Sequence, residues 1–252
     1  SWRQRVYGAH HDGITGSESD QVYVDLLGGW REAYELADRA RTQAIDDLAA
    51  RVDTSGPGVA VVVVNTLSWP RHGITEVRLT FPDGGFRGVR LVDEAGETVP
   101  ALGEGVRRDG SGLLTRITLT FLARDVPALG YRVYRAVPDE AVPGGWNALP
   151  DGGGAAPVTV ANRAFEVTAD PARGGALTSI RALRDGLELL RPGGLGGEFV
   201  LQREHPTHPV WGEGPWHLLP AGPGTGSGDG GSGTAVVRAE ECAAGRRVVT
   251  ET

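Results

Sequence analysis

The spacing of apolar positions changes its period once along the chain, near residue 53. From Glu18 to about Val52, apolar side chains recur every three or four residues, which predicts an amphipathic helix. At ~1.5 Å per residue such a helix is about 50 Å long, unless Gly28-Gly29 kinks it or breaks it in two. A helix of this length needs packing partners, and the rest of the pattern predicts no second helix. We therefore expect its partners to precede Ser1.

After residue 53 the period becomes two, and short apolar alternations are separated by Gly, Pro and Asp turns. Over residues 57–138 this pattern predicts a β-sandwich with Trp69 in its core. Its predicted strands lie in "VAVVVVNTLSW", "TEVRLTF", "GVRLVDEAG", "LTRITLTFLARDVP" and "GYRVYRAV". The Gly/Pro-rich stretch 139–157 has no period and predicts a linker. Residues 158–252 alternate again and predict an incomplete, larger β-sandwich domain. The expected fold is therefore multidomain and mainly β, with one long helix that ends a helical-bundle domain at residues 1–55.

Composition narrows the function classes. The 252 residues carry a formal net charge of −7, and the basic clusters are short pairs, so nucleic acid is not an expected partner. No apolar run approaches the ~18 residues of a membrane span. The single cysteine, Cys242, excludes an internal disulfide and a cysteine-based metal site. The chain has no methionine and ends within a strand-like pattern, so we expect an internal fragment. Its composition slightly favours a cytoplasmic over a secreted protein and leaves the oligomeric state open.

Chemistry-bearing residues concentrate in "HHDGITGS", just before the predicted helix. His10, His11 and Asp12 supply two imidazoles and a carboxylate. Neighbouring side chains of an extended segment point in opposite directions, so we expect only one histidine to bind a metal. A catalytic zinc takes three or more protein ligands, and the others would come from elsewhere. The same stretch also suits a turn and helix cap, built on Ser17 and Asp20, with surface histidines. The residues alone leave both alternatives open.

Three ordered motifs resemble glycoside hydrolase family 38, the retaining α-mannosidases. They are "HHDGITGS" with the amphipathic helix after it, "NTLSWPR" at residues 65–71, and "ANRAFEVTADPARGGALTSIRAL" further on. In the family an "HHDAITGT"-like segment lies between the catalytic α/β domain and a three-helix bundle. The departures are modest: Ala9, Gly13, Ser17 and Thr66 replace residues that are more usual there. The resemblance implies an internal fragment that lacks the N-terminal catalytic domain.

The resemblance also implies roles for the opening motif. The family uses one zinc ion, for which His11 stands at the position of a ligand. Asp12 matches a residue that hydrogen-bonds sugar hydroxyls, and His10 would line the substrate pocket or hold the loop. The nucleophilic Asp and the acid/base carboxylate would lie upstream of Ser1. No catalytic residue is therefore expected in this chain, and the chain alone is expected to be inactive.

The implied substrate is a terminal α-D-mannoside or a mannose-containing oligosaccharide. Two alternatives stay open: a family relative acting on another α-mannoside, such as mannosylglycerate, and a non-catalytic carbohydrate-binding β-sandwich module. A loop at residues 205–217 carries three histidines with Trp211 and Trp216. Those rings are expected either to stack on a sugar or, more ordinarily, to pack locally.

Overall fold

The computed structural model describes residues 1–16, 18–81, 85–206, 210, 219–226, 228 and 235–251. The chain forms two compact units. The first, here called the helical unit, comprises Ser1–Thr54 and Pro206–Leu219, and the second, the β unit, comprises Ser55–His205 and Pro220–Thr252. The described residues are mainly β, with one long helix near the N-terminus, as predicted. The finer division into domains stays a prediction.

Among the described residues, the helical unit contains the helices α1 (Trp2–Gly8), α2 (His11–Thr15) and α3 (Asp20–Ala49). Helix α3 runs through Gly28-Gly29 without a break, so the alternative of two helices is wrong. The predicted cap is only partly testable, because Ser17 lies outside the described residues. Asp20 is the first helical residue, and Ser19 occupies the N-cap position without a side-chain capping hydrogen bond.

A second helix does pack on α3, so the prediction that the chain offers none is wrong. The indole of Trp30 lies directly over Gly8 of α1, where an added Cβ would come within 2.0 Å of the ring nitrogen. The side-chain amide of Gln4 donates to the Glu32 carboxylate at 2.7 Å. Helix α1 is only seven residues long, too short to produce a clear helical period in the sequence.

Residues 59–139 form the predicted β-sandwich. In the described part of this range its six strands are β1 (Val59–Asn65), β2 (Arg71–Thr80), β3 (Gly88–Val92), β4 (Ala101–Arg108), β5 (Leu114–Val126) and β6 (Gly130–Asp139). They make two antiparallel three-stranded sheets, β1-β6-β3 and β2-β5-β4. Inward-facing residues of both sheets form one hydrophobic core, in which Leu114, Ile117 and Leu119 are completely buried. Phe121 and Tyr134 meet edge to face with ring centroids 4.9 Å apart.

Asn65, the first residue of the "NTLSWPR" motif, has a structural role at one end of the sandwich, where its side chain hydrogen-bonds to several backbone groups. It is the buried polar side chain of the described part of the core. Its amide donates to the carbonyls of Trp69, Val126 and Pro127, and its side-chain oxygen accepts from the Leu67 backbone. Trp69 contributes this carbonyl, but its ring is 57% exposed, so the prediction that it lies in the core is wrong. It sits in the loop between β1 and β2, outside the alternation that faces inward.

The second β region is less regular. Its strands are β7 (Asn147–Gly154), β8 (Val158–Ala161), β9 (Phe165–Asp170), β10 (Ala176–Ala182), β11 (Val200–Leu201), β12 (Thr225–Gly226), β13 (Val236–Cys242) and β14 (Gly245–Glu251). The sheets are β10-β9-β8, β14-β13-β7 and β11-β12. Val158, Ala169, Val237 and Ala239 form a small core. Strand β7 lies inside the stretch 139–157 that was predicted to be a linker.

Candidate functional site

The histidine motif forms a single helical turn, α2, between α1 and α3. His10 precedes it in an extended conformation, and its carbonyl accepts the first helical hydrogen bond from the Ile14 amide at 3.0 Å. Gly16, with φ of 70°, ends the turn in the left-handed conformation that glycine adopts without strain. The Thr15 hydroxyl donates back to the carbonyls of His11 and Asp12. The extended backbone assumed in comparing the two histidines therefore ends at His10, and His11 is helical.

His10 is held at both ring nitrogens. Its Nδ1 lies 3.0 Å from the carbonyl oxygen of Tyr7, at the end of α1. Its Nε2 lies 2.9 Å from Oε1 of Glu18, just before α3. A carbonyl oxygen only accepts hydrogen bonds, so Nδ1 carries a proton and donates. The ring therefore links three consecutive segments of the helical unit.

Glu18 is the partner that sequence analysis missed, because it was assigned only to the start of the long helix. Its side chain is 90% buried, since only 10% of its surface is exposed. Its second carboxylate oxygen, Oε2, is buried and has no hydrogen-bond partner in the described part of the chain. A glutamate eight residues after His10 is the only signal that the sequence offers, and this spacing corresponds to no regular element.

His11 and Asp12 face outward from the first turn of α2. The His11 side chain is 90% exposed and the Asp12 side chain 54% exposed. The Nε2 atom of His11 lies 3.5 Å from Oδ2 of Asp12, which is a loose contact. The rings of His10 and His11 are 6.2 Å apart and nearly perpendicular. The structure thus separates the two histidines by their surroundings: the His10 ring has two partners within the helical unit, and the His11 side chain is accessible.

Gly13 lets the backbone segments of this site approach one another closely. An added Cβ at Gly13 would lie 2.8 Å from the His10 ring, 2.9 Å from a Leu26 methyl group and 3.0 Å from the Gly8 carbonyl oxygen. Real Cβ atoms essentially never approach other atoms this closely. Glycine at position 13 therefore lets α2 pack tightly against α3 and against the end of α1.

The donor chemistry fits one position of a zinc shell. An accessible imidazole is a common zinc ligand, and a neighbouring carboxylate can orient it through a hydrogen bond. His11 and Asp12 supply these two groups. Within the described residues, no group of three or more His, Cys, Asp or Glu side chains could hold a metal ion. A complete zinc shell would therefore need ligands from outside the described part of this chain.

An open apolar groove of about 460 Å³ lies beside the motif, within the helical unit. Its lining includes Trp2, Arg5, Ile14, Trp30 and Tyr34. Trp2, Tyr34 and Ile14 are largely exposed. Several of the lining residues belong to the apolar face of α3. The length of this helix led us to predict further packing partners for that face.

The other candidate residues belong to the β unit or lie outside the described residues. His72 lies in the sandwich, where its Nδ1 accepts the Asp125 amide at 3.0 Å. Glu204, the acidic neighbour of His205, takes part in an isolated bridge with Pro220. Trp211 and Trp216, with the other histidines of the 205–217 loop, lie outside the described residues. The role of that loop stays a prediction.

Comparison with known proteins identifies relatives both in sequence and in structure. The chain is 33% identical over 138 residues to the human epididymis-specific alpha-mannosidase, a match that spans 51% of this chain and 12% of that protein. It superposes on the crystal structure of a protein in glycosyl hydrolase family 38 from Enterococcus faecalis, with a TM-score of 0.67 and 16% identity. That match covers 96% of this chain and 30% of the solved chain. No family model matches the chain.

The two comparisons confirm the predicted resemblance to glycoside hydrolase family 38. The structural match shows the fold over nearly the whole chain, and the sequence match joins half of the chain to an alpha-mannosidase. Both relatives are glycosidases by name. The chain spans only 12% and 30% of their lengths. No helix of the described residues is long and apolar enough to cross a membrane.

Proposed function

We propose that this chain is part of a glycoside hydrolase family 38 α-mannosidase that cleaves terminal α-D-mannosides with retention and uses zinc. The fold over 96% of the chain and the sequence similarity to an alpha-mannosidase support this proposal. The activity belongs to the larger protein. A retaining glycosidase needs a nucleophilic carboxylate and an acid/base carboxylate about 5 Å apart, and both are proposed to lie outside this chain.

His11 is the proposed zinc ligand, and Asp12 is the proposed contact to sugar hydroxyls. The observation that carries these roles is the outward presentation of both side chains from one short, anchored helical turn. When bound, zinc supplies a Lewis acid that can fix the sugar ring for attack. Asp12 can accept hydrogen bonds from a sugar hydroxyl and can also orient the His11 ring.

The decisive experiment replaces His11 by alanine in the longest protein that the gene encodes. We expect His11→Ala to lose most of the bound zinc, measured by atomic absorption, and most of the turnover of an aryl α-D-mannoside. His72→Ala is the matched control, because His72 lies in the sandwich and should affect neither quantity. Unchanged zinc content in His11→Ala would refute the ligand assignment.

The 252-residue chain alone gives a complementary test. It is expected to show no turnover of the aryl α-D-mannoside and to bind zinc weakly, because one imidazole and one carboxylate do not complete a zinc shell. Measurable turnover by the purified chain would contradict the proposal. If the longer protein binds mannose-containing glycans but neither holds zinc nor cleaves them, the carbohydrate-binding alternative is favoured instead.

A further inference from the structure

We propose that Glu18 is a positioning residue which holds His10 in place and thereby orients His11 and Asp12. For the role of His11 this inference rests on the function proposed for the motif. Its structural part, the dependence of the α2 turn on Glu18, can be tested separately.

The Tyr7 carbonyl and the Glu18 carboxylate hold the His10 imidazole from its two ring nitrogens, an arrangement called here the clamp. His10 immediately precedes α2 and provides the carbonyl that accepts the first helical hydrogen bond. Its ring is fixed by the Tyr7 carbonyl on one side and by the Glu18 carboxylate on the other. Rotation of the His10 ring would break at least one of these contacts. The backbone conformation at His10 therefore depends on Glu18.

Helix α2 has little stability of its own. It comprises five residues, and isolated helices shorter than ~12–15 residues are marginal in water. Its direction must come from contacts with the rest of the helical unit. The described contacts include the packing of Gly13, the two hydrogen bonds of the His10 ring and the backbone hydrogen bond from the His10 amide to the Tyr7 carbonyl. Because His11 and Asp12 follow His10 directly, the direction in which they point is set at His10.

Packing alone does not explain why a glutamate occupies position 18. It buries a carboxylate whose Oε2 finds no partner among the described residues, and such an orphaned oxygen destabilises the folded state. An apolar side chain of similar size would fill the same space without that cost. A buried carboxylate that lowers stability but fixes a neighbouring ring is consistent with a functional role.

The clamp changes the role of His10. Both of its ring nitrogens are engaged within the helical unit, so neither is available to a sugar hydroxyl or a metal ion while the clamp is intact. We therefore assign His10 to positioning: of the two roles that the family resemblance implies, holding the loop fits these contacts and lining the substrate pocket does not.

The test uses two substitutions of Glu18 in the longest encoded protein. Glu18→Met fills the space but removes both oxygens. We expect this variant to bind zinc about 10-fold or more weakly, because loss of a group that orients a metal ligand usually has an effect of this size. Its Tm should stay equal or rise. Glu18→Gln can donate its amide N–H to Nε2 of a neutral His10 and should keep nearly wild-type affinity. Glu35→Met, at an exposed position of α3, is the matched control and should not change zinc affinity.

A double-mutant cycle separates positioning from substrate contact. If His10 acts only through the clamp, His10→Ala should weaken zinc affinity as Glu18→Met does, and the double variant should be no worse than either single variant. If His10 instead contacts the sugar, His10→Ala should raise KM without changing zinc affinity. That second outcome would overturn the assignment of His10.

A third measurement does not depend on zinc. In the 252-residue chain, the Ile14 amide donates to the His10 carbonyl, so its hydrogen exchange reports on the start of α2. We expect faster exchange in Glu18→Met and wild-type exchange in Glu18→Gln and Glu35→Met. Unchanged Ile14 exchange or wild-type zinc affinity in Glu18→Met would overturn the proposal. Retention of zinc in His11→Ala would instead refute the proposed function and leave the structural clamp standing.

Discussion

The sandwich and the helical unit are stabilised in different ways. In the sandwich, strands from two sheets enclose a core in which several side chains are completely buried. In the helical unit, the 30-residue helix α3 buries only Leu26 and Ala33 among the described residues. Most of its apolar face, including Tyr34 and Val22, is exposed. The candidate site lies on the less enclosed of the two units.

This difference shows how the site can be ordered without a large core. The motif is fixed by a few specific contacts: two hydrogen bonds to one imidazole and the close approach of glycine backbone to Leu26 and Trp30. Regions with few buried apolar contacts open locally at low free energy. Single substitutions near α2 should therefore affect the motif strongly and the sandwich hardly at all.

The largest expected effect tests whether the sandwich is the more tightly packed unit. Leu119→Ala should lower the free energy of unfolding of the β unit by about 4 kcal/mol, because Leu119 is fully enclosed. Leu26→Ala should cost about 2 kcal/mol, at the low end for such changes, and only in the helical unit. Urea unfolding followed by hydrogen exchange in each unit measures both values. Equal costs would show that the two units do not differ in packing.

A pair of glycine substitutions sharpens the comparison within the helical unit. Gly13→Ala should destabilise it by about 1–2 kcal/mol, because the new Cβ would meet the His10 ring, Leu26 and the Gly8 carbonyl. Gly28→Ala should stabilise α3 by about 0.5–1 kcal/mol, because no atom lies within 4 Å of the added Cβ and alanine favours the helix. Thermal unfolding of both variants gives the signs. Stabilisation by Gly13→Ala would contradict the close packing of α2.

The smallest expected effect concerns acid stability of the β unit. The Glu188 carboxylate accepts hydrogen bonds from the Ser179 hydroxyl and from the amides of Ile180 and Leu190. These bonds lower the pKa of Glu188 from 4.5 to about 2. Because the folded pKa lies below the unfolded one, the stabilisation is present above pH 4.5 and is lost as the pH falls from 4.5 toward 2.

Glu188→Gln removes this titration, so it should flatten the stability of the β unit between pH 4.5 and pH 2. Exposed Glu76→Gln on β2 serves as the control. Tm measured in steps across this pH range makes the comparison. An unchanged pH dependence in Glu188→Gln would show that these hydrogen bonds do not govern acid stability.

The sequence was enough to predict those helices and strands whose apolar residues recur at a regular spacing. The three- and four-residue spacing predicted α3 within a few residues, and the alternation after residue 53 predicted five of the six sandwich strands. Strand β4 was missed, because "ALGEGVRR" combines two glycines with charged residues and shows little alternation. Trp69 was misplaced because its position in a loop, outside the pleat, is decided by the Asn65 hydrogen bonds.

For the site, the sequence by itself determined which residue types were available: two imidazoles and a carboxylate next to a long amphipathic helix. Only the tertiary structure decided their orientation: it ties the His10 ring to Tyr7 and Glu18 and leaves the His11 side chain 90% exposed. It did so through Glu18, Tyr7 and the packing of Gly13, contacts that follow no helical or strand period. Periodic patterns report the local backbone, whereas a clamp between three segments depends on how those segments meet in space.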